Sequence, residues 1–252
     1  MEIKQFVPLI IDAARDAGIK ILEVYNSEDF EVEEKADESP LTKADQEAHK
    51  IIVEKLKETG LPILSEEGAK ISYEERRQWE YFWMVDPLDG TKEFIKKNGE
   101  FTVNIALIHN QKPVLGVVYA PVLDQLYFGG EGIGAFKSEN MSPQVELKLI
   151  EHDKGPTRIV ASRSHLNEDT KKYIDDFKEA EIVSMGSSLK FMLIADSDAD
   201  IYPRFAPTME WDTASAHAVL RGLDVEVMSL EDDQPLRYNK ENLLNPSFIV
   251  ER

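Results

Sequence analysis

The stretch that most constrains this chain is residues 81–94, YFWMVDPLDGTKEF. Five consecutive apolar residues suit a buried strand. Pro87 fixes φ and has no N–H to donate, so the strand is expected to end at Asp86 and the chain to turn there. Asp89 follows three residues later, and Gly90 allows a tight turn or a close approach of backbone to a ligand. Thr91 opens a short polar helix, TKEFIKK. Asp86 and Asp89 can therefore aim carboxylates at one point, with the Leu88 carbonyl as a third oxygen. The N–H groups of Gly90 and Thr91, at a helix start, can hold an anion. A hard divalent cation beside a phosphate would use both features. The same letters also spell an ordinary Asp-Pro-x-Asp-Gly surface turn, so the decision rests on other residues.

Two further acidic positions matter. Glu66 and Glu67 lie in a turn after a short apolar strand, PILSEE, and Asp212 follows Trp211 at the start of the helix WDTASAHAVL. Each has a plain alternative, a solvated loop for the pair and a helix-terminus acid for Asp212. If Glu66, Asp86, Asp89 and Asp212 converge, they require a cation. Two unit charges ~4 Å apart repel by about 4 kcal/mol at an effective dielectric of 20. Oxygen-only ligation favours Mg²⁺, Mn²⁺ or Ca²⁺ over zinc. Other metal and nucleotide motifs fail. Asp196, Asp198 and Asp200 imitate the start of an EF-hand loop, but its sixth position is Ile201 and its twelfth Pro207. There is no HExxH, GxSxG or GxxxxGK[ST] pattern, and the glycines of GGEGIGAF sit in a strand–turn context.

Composition narrows the class. The 252 residues carry 29 Lys+Arg against 48 Asp+Glu, a net charge of −19. That balance opposes binding to nucleic acid or anionic membranes. With no cysteine, disulfides, thiol nucleophiles and Cys-ligated metals are excluded. No stretch approaches the ~20 apolar residues of a membrane span, and no signal peptide fits the start, so a cytoplasmic protein is expected.

Along the chain, apolar residues at Ile3, Phe6, Ile10, Ala13, Ala17, Ile21 and Val24 predict one helix over residues 2–26. An acidic segment follows, with a short exposed strand pair. Thr42 then reads as the N-cap of a helix that stops at Gly60, with Asp45 three residues on. FTVNIALIHN and KPVLGVVYA predict a hairpin, and LYFGGEGIGAF a glycine-punctuated strand. After about residue 145, strands and helices alternate. Helices are expected at LNEDTKKYIDDFKEA, SSLKFMLIADSD and WDTASAHAVLRGL, and strands at RIVAS, ADIYPRF, DVEVMSL and SFIVE. The expected organisation is an N-terminal sub-domain of residues 1–145 and a C-terminal one of 146–252, packed as one unit.

Taken together, Glu66-Glu67, the DPLDGT of residues 86–91 and Trp211-Asp212 resemble the motifs of the lithium-sensitive, magnesium-dependent phosphatases related to inositol monophosphatase. Asp45 in LTKADQEA matches a fourth motif, and the resemblance runs in order through nearly the whole chain. It implies an α/β (α+β) fold, a layered α-β-α-β-α sandwich. Within the family, the chain is most similar to the 3′(2′),5′-bisphosphate nucleotidases of the bacterial sulfur-assimilation type. The matching segments are DPLDGTKEF, GSSLKF (186–191), YPRF (202–205), PTMEWDTASAHAVL (207–220) and PLRYNKENLLNPSF (235–248). The inositol branch usually carries a Glu seven residues before the motif aspartate, where this chain has Phe205.

The resemblance implies that Glu66, Asp86, the Leu88 carbonyl and Asp89 hold a catalytic Mg²⁺, with Asp212 completing a second site. Asp45 would serve a further ion or help orient water, and Thr91 would position the attacking water. Gly90 and Thr91 would bind phosphate. Ser187, Lys190 and Arg204 would meet the rest of the nucleotide, and His165 the nucleoside. Two or three Mg²⁺ ions, inhibition by Li⁺ and Ca²⁺, and a monomer or homodimer acting on a small nucleotide are the matching expectations. The alternatives are an inositol or fructose-1,6-bisphosphate phosphatase, a non-catalytic phosphate-ligand binder and an acidic Ca²⁺-binding protein.

Overall fold

The computed structural model describes residues 1–27, 32–34, 40–68, 70–151, 155–161 and 167–252, with backbone pairing alone for 32–34 and 40–42. A 3₁₀ turn, Ile3–Phe6, precedes α1 (Val7–Tyr25), so the single helix expected over 2–26 is split near Pro8. Proline has no N–H to give an α-helical bond and is favoured in a first turn. β1 (Val32–Glu34) and β2 (Pro40–Thr42) form an antiparallel pair. α2 (Lys43–Leu56) continues through a 3₁₀ turn to Gly60, whose φ of 69° makes the left-handed stop that glycine tolerates. The capping role expected of Thr42 falls on a side chain outside the described residues.

β3 (Ile63–Ser65), α3 (Tyr73–Arg76), β4 (Tyr81–Asp89) and α4 (Thr91–Ile95) follow. Then come β5 (Thr102–His109), β6 (Lys112–Ala120), β7 (Gln125–Gly130), β8 (Gly134–Glu139) and β9 (Val145–Glu146). The turn between β5 and β6 has positive φ at both Asn110 and Gln111, as a two-residue hairpin turn requires. LYFGGEGIGAF is a hairpin rather than one strand. β3 to β9 form a seven-stranded sheet in sequence order, parallel only between β3 and β4. β10 (Thr157–Val160), α5 (Glu168–Asp175), β11 (Ala180–Val183), α6 (Leu189–Ala195), β12 (Ile201–Arg204), α7 (Glu210–Arg221), β13 (Val227–Ser229) and β14 (Phe248–Glu251) complete the chain. The second sheet runs β11-β10-β12-β14-β13. β11 is absent from the sequence reading, because its AEIV is largely exposed and shows no alternation.

Strand alternation sets the layers. Trp83 and Val85 on β4, with Val103, Ile105 and Leu107 on β5, pack under α1 and α2. Phe82, Met84, Ala106 and Ile108 point the other way, onto α6, α7 and the second sheet. α5 covers the far side of that sheet through Ile159, Ala161 and Ile174. The result is the layered α-β-α-β-α arrangement. α7 lies very close to the large sheet, and Gly116 on β6 makes this possible. A Cβ there would fall 2.3 Å from the Ser215 carbonyl oxygen and 2.9 Å from Ala218 Cβ. Gly116→Val is expected to cost about 1–3 kcal/mol through overpacking. That is a fall in Tm of roughly 3–10 °C in thermal denaturation, and a shift under about 1 °C would contradict the close packing.

Candidate active site

The site grows from an irregularity in β4. A strand reverses its side chains at every residue, so Asp86 and Asp89, three apart, would point to opposite faces. Asp86 pairs with Asn104 and Asp89 with Thr102, three residues on one strand against two on the other. This is a bulge, and the extra residue returns Asp89 to the face of Asp86. The expected turn at Asp86 is corrected here: β4 runs on to Asp89, because Pro87 sits where the bulge suspends the ladder. Phe82, Met84 and Asp86 thus share one face, as do Ile108, Ala106, Asn104 and Thr102 on β5. Along both strands the face that buries the core at one end turns polar at the other.

Asp212 enters from above, on the third residue of α7, where its Oδ2 accepts the Met209 N–H at 2.8 Å. The helix-terminus role and a place in the site therefore coexist. Asp86, Asp89 and Asp212 each offer one oxygen, all within 4.8 Å of one another. Among the described residues this is the only such group of acids. Asp45 is buried in the first turn of α2. Glu66 follows β3, and its N–H donates to the Val85 carbonyl at 3.1 Å, which sets it beside Asp86. Burial, then the negative charges of Glu66, Asp89, Asp212 and Asp45, hold the Asp86 carboxyl well above its usual range. Burial and then Asp89 do the same to Asp212. A set of oxygens that disfavours its own ionisation this strongly, with no His or Cys among it, fits a hard divalent cation.

The surroundings brace Asp89. Its Oδ2 accepts from Ser187 Oγ at 2.5 Å, Ser188 N at 2.7 Å and Ser188 Oγ at 2.8 Å. Ser188 Oγ also lies 2.8 Å from the Asp212 carbonyl and accepts from Asn104 Nδ2 at 2.9 Å. Thr102 Oγ1 meets Ser187 Oγ at 2.6 Å. Ser188, Asn104 and Thr102 were missed in the sequence. The signal was there, since Thr and Asn alternate on one face of an otherwise apolar strand, FTVNIALI. Ser187, expected at the nucleotide, spends its hydroxyl on Asp89 while also lining the cleft. Thr91 Oγ1 lies 3.4 Å from both Asp45 Oδ1 and the Leu88 carbonyl. Gly90 has φ of 94°, and a Cβ there would press at 3.3 Å on Glu100 O, Phe101 Cβ and Ser187 Cβ.

Beside the carboxylates opens a cleft of about 320 Å³, with Lys190 and Arg204 on its wall together with Phe191 and Tyr202. Lys190 Nζ donates to the Ser187 carbonyl at 2.8 Å, and burial lowers its ammonium to about 8 against the pull of Asp89. Arg204 reaches only the Pro207 carbonyl, at 3.5 Å, and pairs with no acid among the described residues. The cleft thus carries acids, Asp89 and Asp212, and cations, Lys190 and Arg204, on one lining. Glu67 stands next to Glu66 in the same turn, where its charge acts on His49. Asp196 and Asp200, of the rejected calcium pattern, are taken up by Lys137 and Tyr127 and by Arg158 and Arg252. His165 lies outside the described residues.

Residues 2–250 match the inositol monophosphatase family. The chain is similar to the 3′(2′),5′-bisphosphate nucleotidase CysQ of Escherichia coli strain K12, 46% identical over 246 residues, 96% of this chain and 97% of that one. It is also similar to the solved structure of CysQ from Bacteroides thetaiotaomicron, with 49% identity and a TM-score of 0.90 over 99% of this chain and 98% of that one. The extragenic suppressor protein suhB from Bartonella henselae, 23% identical with a TM-score of 0.80 over 98% of this chain and 94% of that one, shares the fold. The bulged acidic strand, the aspartate brought to it by α7 and the match over nearly the full length agree: the chain belongs to the inositol monophosphatase family.

Proposed function

We propose that this protein is a Mg²⁺-dependent phosphatase that removes the 3′-phosphate of adenosine 3′,5′-bisphosphate, giving AMP and phosphate. 3′-Phosphoadenosine 5′-phosphosulfate is the second substrate of the same reading. The observation that carries it is the convergence of Asp86, Asp89 and Asp212 beside a cleft walled by Lys190 and Arg204. The similarity to bisphosphate nucleotidases and the Phe205 that replaces the inositol branch's Glu support the nucleotide over a polyol ester. The setting is cytoplasmic sulfur metabolism, with the chain a monomer or homodimer. No described helix is long and apolar enough to cross a membrane.

Glu66, Asp86, the Leu88 carbonyl, Asp89 and Asp212 would hold two or three ions, with Asp45 toward a weaker one. When bound, Mg²⁺ supplies Lewis acidity toward phosphoryl oxygens and makes water a stronger acid. Thr91, between Asp45 and the Leu88 carbonyl, orients the attacking water, and one carboxylate, Asp45 or Glu66, takes up its proton. The backbone N–H groups of Gly90 and Thr91 hold the phosphate being cleaved. Lys190 and Arg204, with Ser187, meet the remaining phosphate or the ribose and offset the charge of −19 locally, and His165 meets the nucleoside. A water oxygen bonds to phosphorus, the bond from phosphorus to the 3′-oxygen breaks, and the proton given up by the water ends on that oxygen, which leaves as the hydroxyl of AMP.

Replacing Asp86 with Asn removes a central oxygen charge without changing side-chain size. Phosphate release from adenosine 3′,5′-bisphosphate is expected to fall by more than about 100-fold, measured by colorimetric phosphate assay. Undiminished release would place catalysis at a different centre, and a wild type that releases no phosphate would mean a non-catalytic binder. A panel of adenosine 3′,5′-bisphosphate, inositol 1-phosphate and fructose 1,6-bisphosphate tests the substrate. The bisphosphate nucleotide is expected to turn over fastest, with activity lost in EDTA, restored by Mg²⁺, and inhibited by Li⁺ or Ca²⁺. A preference for the inositol ester would overturn the substrate assignment.

A further inference from the structure

The segment PLRYNKENLLNPSF (235–248) takes no part in the cleft around Lys190 and Arg204, yet it is tightly held. Its middle wraps the start of α7. Glu210 N donates to the Leu243 carbonyl at 2.9 Å, Asn245 N donates to the Thr208 carbonyl at 2.8 Å, and Met209 pairs with Leu244. Asn245 Nδ2 reaches the Met209 carbonyl at 2.8 Å and Thr213 Oγ1 at 3.1 Å. Backbone and side chain together thus grip residues 208–213 from one side, and Asp212 stands in the middle of that grip.

Glu210 is the centre of the arrangement. A glutamate at the first position of a helix normally faces water, where the helix dipole favours it. Here it is fully buried, at 0% exposure. Its Oε2 accepts the Asn239 N–H at 2.5 Å, and its Oε1 accepts the Lys240 N–H at 3.0 Å and Lys240 Nζ at 2.6 Å. Burying a carboxylate is costly unless it is fully hydrogen-bonded and paired, so the chain keeps it for what it holds in place. Asn239 is anchored in turn. Its Oδ1 accepts from Arg76 Nη1 at 2.8 Å, and its Nδ2 donates to the Arg76 carbonyl at 2.7 Å. Arg76 also donates to the Lys240 and Glu241 carbonyls, at 2.5 and 2.7 Å. Arg76 lies on α3, the element that follows the Glu66 turn. An unbroken polar chain therefore links α3 to the Asp212 turn, through Arg76, Asn239 and Glu210.

We propose that Arg76, Asn239, Lys240 and Glu210 form a bracket that positions Asp212 against Asp86 and Asp89, and so sets how tightly the site holds its cations. These are positioning residues, since none of them touches the cleft or the three converging carboxylates. The inference rests on the reading of Asp86, Asp89 and Asp212 as cation ligands. Partners hydrogen-bonded directly to metal ligands commonly alter metal affinity by about 10–100-fold when removed, and the bracket, which acts on Asp212 through the first turn of α7, is expected at the lower end of that range.

The test uses the full-length protein stripped of metal, with Mn²⁺ as the probe and the free ion followed by electron paramagnetic resonance. Asn239→Ala and Lys240→Met are compared with Lys240→Arg and with Asp200→Asn, a change in the distant Arg158–Asp200 pair that affects stability alone. Lys240 keeps 30% of its side chain exposed, so Lys240→Met opens no buried cavity, and Lys240→Arg keeps a charge beside the buried Glu210 where the Met or Ala change is too disruptive. Lys240→Met and Asn239→Ala are expected to weaken Mn²⁺ binding by about 10-fold. Lys240→Arg is expected to restore most of it, and Asp200→Asn to lower Tm with unchanged affinity. If the bracket variants bind Mn²⁺ as the wild type does and lose only Tm, as Asp200→Asn does, the bracket is a structural staple and the proposal fails. A wild-type chain that binds no Mn²⁺ would instead refute the cation reading beneath it.

Discussion

Mutual repulsion among the carboxylates at the end of β4 is the constraint around which the rest of the molecule is arranged. Asp86 is buried and faces Glu66, Asp89, Asp212 and Asp45, and its carboxyl is driven upward by burial and by all four. Such a group is stable only if its parts are held from outside. Each is held by a different element: Asp86 and Asp89 by the bulge, Glu66 by the neighbouring strand, Asp45 by α2, Asp212 by α7. The two sheets and the helices between them are the framework that brings these five positions to one place.

The bracing is polar where the site is polar and apolar elsewhere. Two serine hydroxyls and a backbone N–H converge on Asp89, and the threonine and asparagine behind them come from the strand opposite the bulge. These donors fix the direction in which the Asp89 carboxylate points, so its other oxygen faces Asp86 and Asp212. Lys190 and Arg204 line the cleft but make no ion pair with the three converging acids among the described residues. Charges of both signs therefore stay available to a ligand that brings a cation and an anion together, as a phosphate ester with a divalent metal does.

Much of this was legible in the sequence. Asp86, Asp89 and Asp212 stand out because each ends or begins an element with strong hydrophobic patterning. Most of the helices and the β5–β6 hairpin followed from period and turn residues, whereas α3 and the β7–β8 hairpin did not. What stayed hidden was geometry that leaves little trace in residue type. Pro87 suggested a turn, whereas a bulge absorbs it and keeps β4 extended to Asp89. The edge strand β11 lacks alternation because most of it is exposed. Nothing in the letters around Glu210 marks it as more than an acid at a helix start. Only the long-range contacts with Asn239 and Lys240, some thirty positions away, give it a role. The pairing of Asp89 with Ser187 and Ser188 spans nearly a hundred residues and could not be read from local spacing.

The central claim is that these acids exist to hold divalent cations. The most direct measurement is an anomalous difference map from crystals grown with Mn²⁺ and recorded above the manganese absorption edge. The account predicts its strongest peak within coordination distance of the Asp86, Asp89 and Asp212 carboxylates. A map whose strongest peak lies elsewhere, with nothing between those three residues, would contradict it.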